Sequence, residues 1–216
     1  MIELNKIKLI LWDLDGTLIN SEHIHYNAGM SAFKQLKISL ITTAIGDGVD
    51  SKKCFEIFTG LALNCEQNWQ IFRDWEKLTV QNTFNSITSD LAIKQSIELV
   101  HYFNQLGITQ AVVSNSNRKI IEKSILELNL DKFINKKFSI EDVVNPKPHP
   151  EPYLNALQYY NCLSQNAIVF EDSETGINAA KKANIKNIFG IGAITNNYQP
   201  YKSLNLDNQS WRADIK

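Results

Sequence analysis

The sequence predicts an α/β fold: a mainly parallel sheet flanked by helices, with an all-helical segment inserted after the first strand. Three observations predict it. Short apolar runs stop abruptly at polar residues, as strands buried on both faces of a parallel sheet do. Segments with apolar residues at helical spacing alternate with those runs. One stretch, residues 21–84, breaks the alternation and carries helical patterns only.

The first run, Lys8-Leu9-Ile10-Leu11-Trp12, ends at Asp13-Leu14-Asp15-Gly16-Thr17, a strand followed by a glycine-containing turn. The inserted stretch places Ile24, Ala28, Ala32 and Leu36 on one helical face, then Phe55 and Phe58, then Trp69, Phe72, Trp75 and Leu78 at core-like spacing. Leu91–Leu106 is helical, with Gly107 as its expected C-cap. Gln110–Val113 is a strand ending at Ser114-Asn115-Ser116, and Arg118–Asn129 a helix with Asn117 as N-cap. Lys137–Ile140 is a weaker strand candidate. Pro150–Tyr160 is a helix with Tyr153, Leu157 and Tyr160 on one side. Ala167–Phe170 is a strand ending at Glu171-Asp172-Ser173, Glu174–Asn184 a helix, and Asn187–Ile191 the last strand. Residues 1–20 and 86–216 therefore form the α/β domain and 21–85 the helical one, with hinges near Ile19–Ser21 and in the polar stretch Asn82–Ser89.

A chain of 216 residues suffices for one full core plus a small inserted domain. A formal net charge of −1 argues against a general nucleic-acid binder, while leaving an anionic small molecule open. Cys54, Cys65 and Cys162 show no metal-ligand spacing and read as reduced, structural thiols. The amino terminus has no long apolar segment of the kind a signal peptide needs, and no run approaches the roughly 18 apolar residues of a membrane span. The expectation is a cytoplasmic protein with no membrane partner, monomeric or weakly dimeric.

In open α/β sheets ligands bind beyond the carboxyl ends of the strands. That geometry lets Asp13 and Asp15, Ser114 and Asn115, and Glu171 and Asp172 converge. Lys147, in the stiff loop Asn145-Pro146-Lys147-Pro148-His149-Pro150, adds a positive charge. A carboxylate can attack a phosphoryl group and split one difficult displacement into two easier ones. A second carboxylate two residues on can move the proton, and an all-oxygen site suits Mg²⁺. Each residue also has a plainer reading. The aspartates can begin a turn, Asp172 can be a helix N-cap with Ser173 as its competitor, and Lys147 can be a solvated loop lysine.

The pattern Asp13-Leu14-Asp15-Gly16-Thr17 resembles the first motif of the haloacid dehalogenase-like superfamily. Val113-Ser114-Asn115-Ser116, then Lys147, then Phe170-Glu171-Asp172-Ser173-Glu174-Thr175-Gly176 follow in that family's order. The likeness covers residues 5–20 and 86–200. The helical insert resembles the small α-helical cap of the subgroup containing β-phosphoglucomutase and phosphoglycolate phosphatase. The resemblance implies a Rossmann-like core and an Asp13 nucleophile. Asp15 is then the acid and base, and Mg²⁺ is held by Asp13, the Asp15 carbonyl and Asp172, with Glu171 acting directly or through water. It also implies that Ser114 and the Asn115 backbone N–H hold phosphate oxygens, and that Lys147 neutralises charge at nucleophile and phosphoryl group. Gly16 and Gly176 have backbone roles. His25 falls where relatives carry a functional histidine, though a surface histidine fits as well; His149 reads as a loop residue.

Within that family, a phosphatase hands the aspartyl-phosphate to water and a mutase to a retained sugar-phosphate hydroxyl. In Gly46-Asp47-Gly48-Val49-Asp50-Ser51-Lys52-Lys53, Ser51 stands where β-phosphoglucomutases use arginine, and a lysine beside it lacks the bidentate fork. The sequence therefore predicts hydrolysis of a small phosphorylated metabolite. A mutase and a catalytically silent, binding member of the fold are the alternatives.

Overall fold

The computed structural model describes residues 4–44 and 50–191. The chain divides into two compact units, one made by residues up to Asn20 together with those from Thr88 onward, the other by Ser21–Ile87.

The first unit is a five-stranded sheet. Its strands are β1 (Leu9–Trp12), β2 (Thr109–Val113), β3 (Lys136–Phe138), β4 (Ala167–Glu171) and β5 (Asn187–Gly190), in the order β3-β2-β1-β4-β5. Every pairing is parallel. β1 and β4 are buried at every position, which is why they read as unbroken apolar runs. On one face Leu9, Leu11, Ala111, Val113 and Val169 pack with Tyr153, Ala156 and Leu157. On the other, Trp12 stacks on Phe170 at 4.3 Å between ring centroids and packs against Phe103. Its indole N–H donates to Gln110 Oε1, whose amide in turn donates to the Val100 carbonyl. The buried glutamine is thus satisfied on both sides.

Four helices of this unit follow the sequence closely. They are α4 (Lys94–Gln105), α5 (Arg118–Glu127), α6 (Glu151–Tyr159) and α7 (Glu174–Lys182). α4 starts three residues later than the apolar pattern suggests. The backbone before it is committed elsewhere: Asn20 N–H donates to the Leu91 carbonyl and Ile93 N–H to the Leu18 carbonyl. Gly107 lies one residue beyond the C-cap, with φ +69. β3 begins at Lys136 and ends at Phe138, because Ser139 turns into a short capped 3-10 segment closed by Asp142.

The second unit holds α1 (Glu22–Gln35), α2 (Ser51–Thr59) and α3 (Glu66–Ser86). Phe33, Phe55, Phe58, Phe72 and Trp75 form its core, with Trp69 partly buried against them. The Trp75 indole donates to the Gly29 carbonyl, locking α3 to α1. The polar stretch expected as a hinge is helical as far as Ser86. Thr83 is buried there, and the Asn82 amide donates to the Ala28 carbonyl, so contact with α1 carries α3 onward. Gly46–Val49, part of the stretch compared with the mutases, lie outside the described residues. Among those described, no helix is long and apolar enough to cross a membrane.

Candidate active site

Strand register brings the chemistry together. Trp12 pairs with Val112 on one side and with Phe170 on the other. One residue further on, Asp13 lies level with Val113 and Glu171, and its N–H still donates to the Phe170 carbonyl. The sheet order reverses between β1 and β4, which is where α/β sheets open a crevice.

The turn after β1 winds around one carbonyl, that of Leu14, which accepts from Thr17, Leu18 and Ile19. Gly16 sits at φ +71, and a Cβ there would lie 1.9 Å from Asp172 Oδ2. Only glycine both takes that conformation and admits the Asp172 carboxylate. Asp15 follows Asp13 at the mouth of the turn, and Ser116, beyond β2, donates its hydroxyl to Asp15 Oδ2.

Lys147 is buried and aimed into the site. Its ammonium donates to Asp13 Oδ1 at 2.7 Å, Glu171 Oε1 at 2.6 Å and the Val113 carbonyl at 2.7 Å. Three protons meet three acceptors. The loop carrying it is clamped by Asn115, whose amide donates to the Lys147 carbonyl and accepts from the Lys147 N–H, each at 3.0 Å. The solvated-lysine reading is thereby excluded. The Asn115 side chain also has a task that the motif did not reveal. Ser114 is buried at the end of β2, its hydroxyl oxygen accepting from Ser116 N–H.

Glu171 is fully buried. Its Oε1 also accepts from the Tyr153 hydroxyl at 2.8 Å, and its Oε2 from the Ser173 hydroxyl at 3.0 Å. Ser173, rather than Asp172, caps α7, accepting from Gly176 N–H. Asp172 is thus spared from capping. Asp13, Glu171 and Asp172 each present one oxygen, all within 4.8 Å of one another, an arrangement that can hold a metal ion. All three donors are hard oxygens, which fits a cation such as Mg²⁺.

The electrostatics follow from one buried cation among several carboxylates. Burial, then the charge on Glu171, raises Asp13 well above the usual carboxylate range, with Lys147 pulling the other way. Burial alone would lower Lys147, but Asp13 and Glu171 outweigh it and keep the ammonium protonated. Burial and the neighbouring Glu171 raise Tyr153, so its hydroxyl remains a donor.

Of the residues singled out by sequence, Asp13, Lys147, Glu171 and Asp172 meet directly, and Asp15, Ser114 and Asn115 stand at the adjoining strand ends. His25 lies half-buried on α1 of the other unit. His149 is exposed, its Nδ1 accepting from Glu151 N–H. Two participants escaped the sequence reading. Ser116 was visible only as part of a motif. Tyr153 looked like one more apolar-face residue of α6; the available signal was a phenol among aliphatic neighbours six residues after the lysine.

The chain is 28% identical over 196 residues to validoxylamine A 7'-phosphate phosphatase of Streptomyces hygroscopicus subsp. limoneus, spanning 87% of this chain and 86% of that protein. It is 23% identical over 192 residues to a phosphorylated carbohydrates phosphatase of Thermotoga maritima, spanning 86% and 85%. Its fold matches the crystal structure of β-phosphoglucomutase from Clostridium difficile with a TM-score of 0.71 at 19% identity, over 97% of this chain and 99% of the other. The family model described as haloacid dehalogenase-like hydrolase matches residues 10–189, and the chain belongs to that family.

Proposed function

We propose that this chain is a Mg²⁺-dependent phosphatase that hydrolyses a small phosphomonoester through an aspartyl-phosphate on Asp13, with the helical unit as its cap domain. One observation carries the reading: a buried carboxylate at a strand end, held by a saturated buried lysine, beside a second carboxylate two residues on. The names of the two relatives, a validoxylamine A 7'-phosphate phosphatase and a phosphorylated carbohydrates phosphatase, support a phosphorylated metabolite as substrate.

Asp13 attacks phosphorus as the ester bond breaks, and Asp15 delivers a proton to the leaving alkoxide. Water then attacks the acyl phosphate, Asp15 taking its proton, and Asp13 is released as a carboxylate. Ser114 and the Asn115 N–H hold the phosphoryl oxygens, and Lys147 balances the nucleophile's charge. Mg²⁺, held by Asp13, Asp172 and the Asp15 carbonyl, with Glu171 through water, would supply positive charge beside the phosphoryl group. Glu171 is assigned the outer place because both of its oxygens already accept hydrogen bonds. His25 is assigned to substrate binding on the resemblance alone.

Hydrolysis is favoured over phosphosugar transfer by the helical unit. Lys52 lies over the Trp69 ring, Lys53 pairs with Glu56, and the Ser51 hydroxyl donates to Glu76. The groups nearest the missing arginine are thus engaged within their own unit. The test is phosphate release from a panel of phosphomonoesters with Mg²⁺, using Asp13→Asn as the control. Release by wild type and none by the variant supports the reading. Conversion of β-glucose 1-phosphate to glucose 6-phosphate with little free phosphate would overturn it in favour of the mutase. Metal binding with no turnover of any ester would mark a silent member.

A further inference from the structure

We propose that Tyr153 is a positioning residue of this site, its hydroxyl engaging Glu171 and its ring bearing on Lys147 so that the lysine serves Asp13. The proposal rests on the phosphatase reading and adds a residue to it.

Tyr153 is completely buried on α6 among Val113, Ala156, Leu157, Val169 and Ile177. In such surroundings phenylalanine would pack equally well, and a phenol hydroxyl is costly unless it finds a partner. Its partner is the oxygen Glu171 Oε1, at 2.8 Å, which also accepts from Lys147. The ring centroid lies 4.9 Å from the Lys147 ammonium, within cation–π range. One side chain therefore touches both members of the buried ion pair.

The consequence follows from counting donors. Lys147 has three protons and three acceptors, two of them the competing carboxylates of Asp13 and Glu171. A second donor on Glu171 Oε1 disperses part of that oxygen's charge and weakens its hold on the ammonium, leaving more of the cation's field for Asp13. Without the hydroxyl, Glu171 draws the lysine toward itself and Asp13 is less neutralised. Two effects of opposite sense then appear. Turnover slows, because the attacking carboxylate faces a phosphoryl dianion with less countercharge. Divalent cations bind more tightly, because Asp13 and Asp172 carry more uncompensated charge. A purely structural role would weaken both together.

The experiment compares wild type, Tyr153→Phe and Leu157→Ala, the last an aliphatic member of the same core and helix. Steady-state hydrolysis is measured on an ester that wild type turns over, and Mg²⁺ binding to the metal-free protein by calorimetry. For Tyr153→Phe, kcat is expected to fall about tenfold with KM changed less than about twofold, as for a lost hydrogen bond to a charged group. Its Mg²⁺ dissociation constant is expected to fall about two- to fivefold, part of one such bond. Leu157→Ala lowers the melting temperature and leaves kcat and Mg²⁺ affinity unchanged. Wild-type kcat in Tyr153→Phe, or Mg²⁺ binding that is unchanged or weaker, overturns the proposal. Failure of the phosphatase reading would show in wild type itself, whereas failure of this inference shows only in the variant comparison.

Discussion

Replacing Gly176 by alanine should unfold this protein more easily, against the usual effect of that change in a helix. Gly176 is the third residue of α7 and does not have a positive φ, so backbone strain plays no part. A Cβ there would lie 1.7 Å from Glu171 Oε1, 1.9 Å from its Cδ and 2.2 Å from Oε2. The helix cannot retreat easily, because Ile177, Ala179 and Ala180 are fully buried. The carboxylate must therefore leave its place between Lys147, Tyr153 and Ser173. Breaking a buried ion pair in this way costs about 3–5 kcal/mol, offset by about 1 kcal/mol of helix propensity. The net loss is about 2–4 kcal/mol, or about 5–15 °C in melting temperature at about 2–4 °C per kcal/mol for a chain of this length. Thermal unfolding followed by circular dichroism measures it, and phosphate release by the same variant should fall by about a hundredfold or more. Gly107→Ala is the contrast: φ is +69 but nothing lies within 4 Å, so only strain of about 1 kcal/mol is incurred. A melting temperature for Gly176→Ala equal to or above that of wild type would refute the reasoning.

Three further outcomes can be measured, two at this site and one at the start of α5. Asp13→Asn should raise the melting temperature of the metal-free protein at neutral pH while removing activity. A carboxyl raised by burial holds its proton more tightly folded than unfolded, so its charged form opposes folding. The variant's advantage should shrink as pH falls through that raised value, and thermal shifts in a chelator across pH measure it. Glu141→Ala should cost about 1 kcal/mol, or about 2–4 °C, because Glu141 accepts from the Arg118 N–H at the start of α5. Burial opposes the ionised form there, but hydrogen bonds led by Asn117 outweigh it and lower the group. The contribution is therefore present above the unfolded carboxyl range and lost as pH falls through the folded value, closing the gap between variant and wild type in acid. Mg²⁺ at a hundredfold excess over its dissociation constant should add about 2.7 kcal/mol of stability. Differential scanning fluorimetry should show that shift in wild type and Ser114→Ala and not in Asp172→Ala.

Much of this arrangement can be read without coordinates. Leu9–Trp12, Ala111–Val113 and Ala167–Phe170 are apolar because both faces of a parallel sheet are covered, and the polar residues of the site begin at the carboxyl ends of these strands. β3 was the faint one, since Lys136 and Lys137 are only half-buried on an edge. The end of α3 was obscured because Asn82 and Ser86 are polar residues satisfied inside a helix, by the carbonyls of Ala28 and Asn82.

What the amino-acid order determined was the set of chemical groups and where they sit along the chain: Asp13 and Asp15, Ser114, and Glu171 with Asp172 at strand ends, and Lys147 in a proline-flanked loop. Local patterning suffices for that, because a strand's length and its terminating residues are properties of a few neighbours. The tertiary structure alone decided who pairs with whom. Lys147 is 134 residues from Asp13 and 24 from Glu171, and only the register of β1 against β2 and β4 brings both within reach of one ammonium. The same packing turned Asn115 into a clamp, Ser173 into a cap that spares Asp172, and Tyr153 from a core residue into a partner of the ion pair. Hydrogen-bond partners of buried polar groups are set by three-dimensional proximity, and no periodicity along the chain records that.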